Sequence, residues 1–225
     1  MKSILEFRHD ATMNNADSAF GEDTTSDLPA IAILAGGKSR RMGRDKAQLE
    51  WNGVSWLEHT ARVALDATPN VAIIGRNRPQ LWPLKNVVFL EDAVSGAGPL
   101  GGVLAALRWA KNTKKNSVLA LACDMPKLSV EAVSWIFKVA AQQRLQHGLA
   151  VRNDGRIEPL FSIYTTDCLA LIGQRLACIE TSPARFSLQS LIESGDFELV
   201  NAPFHIAARL LNLNTPQDLK VLTEK

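Results

Sequence analysis

Four short, uninterrupted apolar runs, Ala30–Ala35, Val71–Ile74, Val87–Leu90 and Val118–Cys123, alternate with longer segments of helical period. The helical segments carry Trp56, Thr60, Val63 and Ala67, then Leu100, Val103, Leu104 and Leu107, then Val130, Val133, Phe137 and Ala140. A strand covered on both faces has no wet side, so it reads as a continuous apolar run rather than an alternation. Such strands joined by amphipathic helices form right-handed βαβ units. The fold class is therefore α/β: a three-layer, mostly parallel twisted sheet with helices on both faces. Asn52-Gly53 marks a turn inside the first long connection. The second half is less regular: Ile163–Ile172 and Ser187–Glu193 read as helices and Phe197–Asn201 as a strand. Thr215–Lys225 reads as a closing helix, with Asn214 as its N-cap and Pro216 at its first position.

Residues 1–29 differ from the rest. From Arg8 to Asp27 the chain is rich in Asp, Asn, Thr, Ser and Ala and has no period. It buries too little apolar surface to offset its ordering entropy, so a disordered tail is expected. An arm docked through Ile4, Leu5 and Phe7 is the alternative. Residues 30–225 are expected to form a single domain.

Several functional classes are disfavoured by what the chain lacks. Cys123, Cys168 and Cys178 make no CxxC pair, and His9, His59, His147 and His205 are scattered. Neither set has the spacing of a metal site. No apolar run approaches the roughly 18–20 residues that cross a bilayer, and no secretory signal opens the chain. A cytoplasmic protein with no membrane partner is the expectation. A net charge of +2 argues neither for nor against nucleic acid by itself, and no nucleic-acid partner is expected.

The positive charge is instead concentrated. Leu34-Ala35-Gly36-Gly37 closes the first strand and leads into a loop where Lys38, Arg40, Arg41, Arg44 and Lys46 crowd around Asp45. Open α/β sheets bind ligands at this place, and glycines let backbone amides approach a phosphate chain. That many like charges call for an anion, such as a triphosphate. The segment is neither GxxxxGK[ST] nor GxGxxG. Asp124 ends the Val118–Cys123 run and faces the same edge. One well-placed carboxylate can serve Mg²⁺, which fills its remaining positions with phosphate oxygens and water. Glu91-Asp92 ends the preceding strand in the same manner. Gly96-Ala97-Gly98-Pro99-Leu100-Gly101-Gly102 opens a helix and permits close backbone approach to a flat or anionic ligand. Each feature also has a plainer reading: a solvated basic loop, a helix-capping Asp, an exposed acidic turn, a flexible joint.

Together with Asn212-Leu213-Asn214-Thr215-Pro216-Gln217-Asp218-Leu219, these segments resemble the molybdenum cofactor guanylyltransferase family. Its members have the nucleotide-diphospho-sugar transferase, Rossmann-like type of fold. The resemblance runs from Ile31 to Leu219, and its most specific part is Leu34–Gly37 followed by Ser39–Ala47. It implies that Leu34, Ala35, Gly36 and Gly37 contact the nucleotide and that Arg41 contacts the outer phosphates. Lys46 would hold the α-phosphate region, Asp92 would bind nucleotide, and Asp124 would bind Mg²⁺. Gly98, Pro99 and Leu100 would join the nucleotide site, and Asn212 and Asn214 would place the metal or the acceptor phosphate. Glu158-Pro159-Leu160-Phe161 with Tyr164 looks like the family's acceptor-side segment. Gly75 departs from the pattern, standing where some members carry an Asn that touches the nucleotide, with Asn77 close by.

The implied reaction is transfer of GMP from GTP to the terminal phosphate of molybdopterin, with pyrophosphate leaving. Lys46, Arg41 and Asp124 would carry the catalysis. GTP, the molybdenum cofactor, and molybdoenzyme apoproteins or chaperones are the expected partners. CMP transfer to the same cofactor, another small-molecule nucleotidyltransferase, and a non-catalytic cofactor-carrying module are the competing readings.

Overall fold

The computed structural model describes residues 28–36, 47, 49–51, 53–94, 96–177 and 187–211. The tail at 1–27, the basic loop at 37–46 and the closing segment from 212 onward lie outside the described residues.

The core strands β1 (Ala30–Leu34), β4 (Val71–Ile74), β5 (Val87–Leu90) and β6 (Ser117–Ala122) pair in parallel, with β1 between β4 and β6. Beyond β6 come β9 (Phe161–Thr165), β7 (Gly148–Asn153) and β10 (Phe197–Asn201), while β8 (Arg156–Ile157) lies beside β7. β9 is antiparallel to both of its neighbours, and β10 is parallel to β7. A two-stranded hairpin, β2 (Glu50–Trp51) and β3 (Val54–Ser55), stands apart, turned at Gly53 with φ +76°.

Alternate residues of the central strands feed two separate cores. Ile31, Ile33, Ile73, Leu119 and Leu121 pack under α1 (Trp56–Ala67) and α3 (Val130–Ala141). Ala30, Ala32, Ala72, Ala120 and Ala150 face α2 (Pro99–Asn112), with α4 (Cys168–Ala177) and α5 (Leu188–Ser194) on the same side. The asymmetry has a consequence for position. Large aliphatics on one face contribute about 1.5–3 kcal/mol each on burial. The small alanines on the other let α2, itself built of Gly101, Gly102, Ala105, Ala106 and Ala110, lie close against the sheet. Ile206 of the short α6 (Phe204–Ala207) completes the first core.

Serines start three of the helices. Ser55 accepts from the Glu58 amide at 3.2 Å, Ser129 from Ala132 at 3.4 Å and Ser187 from Ser190 at 3.0 Å. Each satisfies an amide that the first helical turn leaves without a partner. α2 differs: its N-cap is Gly98, at φ +57°, with no side chain to cap the turn.

One expectation requires correction. Ile163–Ile172 is not a helix. Phe161–Thr165 is a strand, Thr166 and Asp167 turn, and the helix begins at Cys168. β7 has no counterpart among the expected strands. The expected cap at Asn214 and its helix lie outside the described residues. Among the described residues, no helix is long and apolar enough to cross a membrane.

Candidate active site

The sheet changes direction at β1. From β1 the chain moves outward to β4 and β5, then returns through α2 to β6 on the opposite side of β1. Connections leaving in opposite directions open a crevice at the carboxyl ends of the strands. Register then decides which residues line it. Leu34 lies opposite both Ile74 and Ala122, and Ile74 lies opposite Leu90. Two residues beyond these level positions come Gly36, Arg76, Asp92 and Asp124, so both candidate carboxylates emerge at one edge.

Asp92 sits among glycines. A Cβ atom placed on Gly36, Gly75 or Gly102 would come within 3.3, 3.2 and 3.3 Å of its carboxylate oxygens. Partial burial holds this carboxyl above the usual range. Removing water from a carboxylate penalises its charged form unless a donor replaces that water. Gly75 also carries φ +80°, and a Cβ there would stand 2.8 Å from the Cα of Gly36. An Asn at this position would require the Gly36 backbone to move.

Two cavities open on this edge. The first, about 560 Å³, is lined by Leu34, Gly36, Ile74, Asp92, Gly96, Gly98, Pro99 and Leu160. The second, about 400 Å³, is lined by Pro99, Ala122, Asp124, Glu158, Pro159, Leu160, Ser187, Leu188 and Gln189. Pro99 and Leu160 belong to both and form the partition between them. Leu160 reaches the edge because β9 runs backwards: the Ala122 amide donates to the Leu160 carbonyl at 3.3 Å, placing the start of β9 beside the end of β6. A larger cavity of about 670 Å³ touches Leu28, Ser117 and Phe137, at the amino ends of β1 and β6 and away from the crevice.

The structure thus brings Leu34, Gly36, Asp92, Gly98 and Pro99 around the first cavity and Asp124 and Pro99 around the second. Ser129, not Asp124, caps the following helix. Ala35 is buried, and its amide donates to the Ile74 carbonyl at 3.0 Å. The Leu100 side chain lies entirely in the core under α2. Phe161 and Tyr164, expected on the acceptor side, are fully buried instead; the Tyr164 hydroxyl donates to the Pro159 carbonyl at 2.9 Å and supports the wall from behind. Gly37, Arg41, Lys46, Asn212 and Asn214 lie outside the described residues. Sequence reasoning missed Ile74 and the Ser187–Gln189 wall. The helix-starting serine was the one available signal for that wall.

Among the described residues, no group of three His, Cys, Asp or Glu side chains gathers into a metal cluster. A single carboxylate facing a cavity with room for a phosphate chain still suits Mg²⁺, which takes few protein ligands. Asp124 meets that requirement.

Known proteins match this frame closely. The MobA-like NTP transferase domain family matches residues 31–194. The probable molybdenum cofactor guanylyltransferase of Opitutus terrae is 36% identical over 189 residues, covering 84% of this chain and 92% of that protein. The molybdenum cofactor guanylyltransferase of Pseudomonas fluorescens is 31% identical, covering 86% and 94%. Molybdopterin-guanine dinucleotide biosynthesis protein A from Archaeoglobus fulgidus has the same fold, with a TM-score of 0.66 at 22% identity, covering 85% of this chain and 95% of that one.

Proposed function

Because the chain belongs to the MobA-like NTP transferase family, we propose that it transfers GMP from GTP to the terminal phosphate of molybdopterin. Pyrophosphate is released, and the guanine dinucleotide form of the cofactor is the product. The observation that carries this reading is the pair of cavities divided by Pro99 and Leu160. One holds a carboxylate among glycines, suited to a nucleoside; the other holds Asp124 and room for a second substrate.

GTP occupies the first cavity, with its phosphates toward the basic loop after Gly36. Asp92 accepts hydrogen bonds from the nucleoside, which replace the water lost on burial. Molybdopterin occupies the second cavity with its phosphate toward Asp124. An oxygen of that phosphate attacks the α-phosphorus of GTP. A phosphorus–oxygen bond forms as the bond to the bridging oxygen breaks, and pyrophosphate leaves with the electron pair. Phosphate monoesters are largely ionised at neutral pH, with a second pKa of about 6. No protein base is required; among the described residues that line the two cavities, none is a histidine.

The protein contributes chiefly position and charge compensation. Holding both substrates against one partition makes the encounter intramolecular, which can supply up to about 7–11 kcal/mol of the barrier. Asp124 would hold Mg²⁺, which when bound offsets the charge spreading over the phosphates. Lys46 and Arg41 add cationic compensation, and Asn212 and Asn214 place the acceptor phosphate or the metal. Pro99 has no N–H and the Gly101 and Gly102 amides donate to the Gly98 carbonyl, so the Leu100 amide is the donor that α2 offers the nucleotide beside the bare Gly98 backbone.

Pyrophosphate release tests the proposal. Purified protein is mixed with Mg²⁺, molybdopterin and GTP, CTP or UTP in turn. Release is expected with GTP and only when molybdopterin is present. Preference for CTP would make the chain a cytidylyltransferase, and no release with any triphosphate would leave only a binding module.

A further inference from the structure

Asp124 stands at the head of a short peptide with two buried feet. Met125 and Leu128 both lie in the core under α1 and α3. The Leu128 amide donates to the Met125 carbonyl at 3.0 Å, closing a turn with Pro126 at its second position. Proline presets the backbone angle that this position needs. Ser129 then starts α3.

The turn is also held from α1, by a residue 69 positions earlier in the chain. His59 donates through Nε2 to the Leu128 carbonyl at 3.2 Å. A carbonyl has no proton to give, so the acceptor fixes this ring nitrogen as the donor. The same helix is tied to the chain that leaves the basic loop. Ala47, which follows Lys46, is buried in the same core as Leu57 of α1, and the Trp56 amide donates to the Leu49 carbonyl at 2.8 Å. Thus α1 is braced at its start by the chain that leaves the basic loop. Close to one helical turn later it grips the turn that follows Asp124. Apolar burial at Met125 and Leu128 has no direction of its own. The bond from His59 does, and it fixes the turn's register against α1.

We propose that His59 is a positioning residue for the transfer: by tying α1 to the Met125–Leu128 turn, it sets where the Asp124 carboxylate stands relative to the cations of the basic loop. This role rests on the proposed transfer, in which Asp124 holds Mg²⁺ and Lys46 acts at the α-phosphate. His59 touches neither substrate nor metal and moves no proton.

The choice of variants isolates the Nε2 donor. Gln can place an N–H near the position of Nε2, whereas the Asn side chain is one carbon too short. Met fills the space without a donor and suits a helix. Pyrophosphate release from GTP and molybdopterin is measured for the wild type, His59→Gln, His59→Asn and His59→Met across a Mg²⁺ titration, with melting temperatures to monitor the fold. His59→Asn and His59→Met should lower kcat about 5- to 50-fold and raise the half-saturating Mg²⁺ concentration about 3- to 10-fold, since small displacements of a charge-compensating group are costly. Their KM for molybdopterin should hold within about twofold, because the walls of the second cavity are untouched. His59→Gln should recover kcat and Mg²⁺ dependence to within about threefold of the wild type. Without turnover, stabilisation by GTP should require more Mg²⁺ in His59→Met than in His59→Gln. Wild-type rates and Mg²⁺ dependence in folded His59→Asn and His59→Met overturn the inference, even if their melting temperatures fall, because His59 then serves the fold alone. A loss in His59→Gln as deep as in His59→Met overturns it too, since the donor would not be what matters. In both cases the wild type still turns over and the transfer reading stands. Absence of wild-type turnover with GTP, molybdopterin and Mg²⁺ overturns the transfer reading and this inference with it.

Discussion

Gly36 and Gly75 meet backbone to backbone: a Cβ on Gly75 would stand 2.8 Å from the Cα and 3.0 Å from the nitrogen of Gly36. Their strands are parallel neighbours, and the contact brings the ends of β1 and β4 together beside Asp92. At φ +80°, Gly75 also occupies backbone space that side chains disfavour. Gly75→Ala should therefore destabilise by about 2–4 kcal/mol, combining left-handed strain with the contact. At about 2–4 °C per kcal/mol, the melting temperature should fall by roughly 5–15 °C. Nucleotide affinity should fall with it, as Gly36 is displaced. A melting curve superimposable on the wild type would show that the two turns can part freely.

Asp92 gives a pH signature whose sign follows from its cause. Its carboxyl is raised by burial from 3.8. The unfolded chain thus releases its proton at lower pH than the folded one, and stability is lost as pH rises through the folded value. Asp92→Asn does not titrate. Without nucleotide, its melting temperature relative to the wild type should improve between about pH 3.5 and pH 7. With GTP the order should reverse near neutrality, because the variant lacks an ionised acceptor. A constant difference across the range would mean that Asp92 is solvated as an ordinary surface carboxylate.

Asp124 should be needed for turnover and not for folding, since Ser129 starts the helix that follows it. Asp124→Ala is expected to lower kcat at least about 100-fold, as loss of a group that offsets developing charge does. Its melting temperature without ligand should stay near that of the wild type. Stabilisation by GTP should also lose its dependence on Mg²⁺. Near-normal turnover in the folded variant is the result that would remove Asp124 from the reaction.

Much of this edge was legible because its strands were. Runs such as Ala30–Leu34 and Val71–Ile74 are apolar on both faces, which fixes where each strand ends and hence where Gly36 and Asp124 emerge. The helical periods of α1, α2 and α3 were equally plain. β9 was not. Phe161, Ser162, Ile163 and Tyr164 are all fully buried, so the strand shows no alternation. Tyr164, Cys168, Leu171 and Ile172 also fit a helical spacing. The β-branched and aromatic residues ahead of Thr166 were the local evidence for a strand. The meeting of Gly36, Gly75 and Gly102 around Asp92 was beyond reach for another reason. It depends on register between β1, β4 and β5 and on how closely α2 lies on the sheet, and neither is encoded in any one segment.

The reversed direction of β9 bears on how proteins of this shape diverge. Gly36, Asp92 and Gly98 come from the part of the chain between β1 and α2, whereas Glu158, Pro159 and Leu160 arrive later, on the approach to a strand of opposite polarity. With GTP and molybdopterin placed as proposed, donor and acceptor are served by separate stretches of inheritance that meet, among the described residues, at the Pro99–Leu160 partition. A lineage can rewrite the peptide between β8 and β9 and acquire a new acceptor while its nucleotide-handling ancestry stays intact. When sequences of this architecture are compared, that peptide is where a change of vocation should be written first.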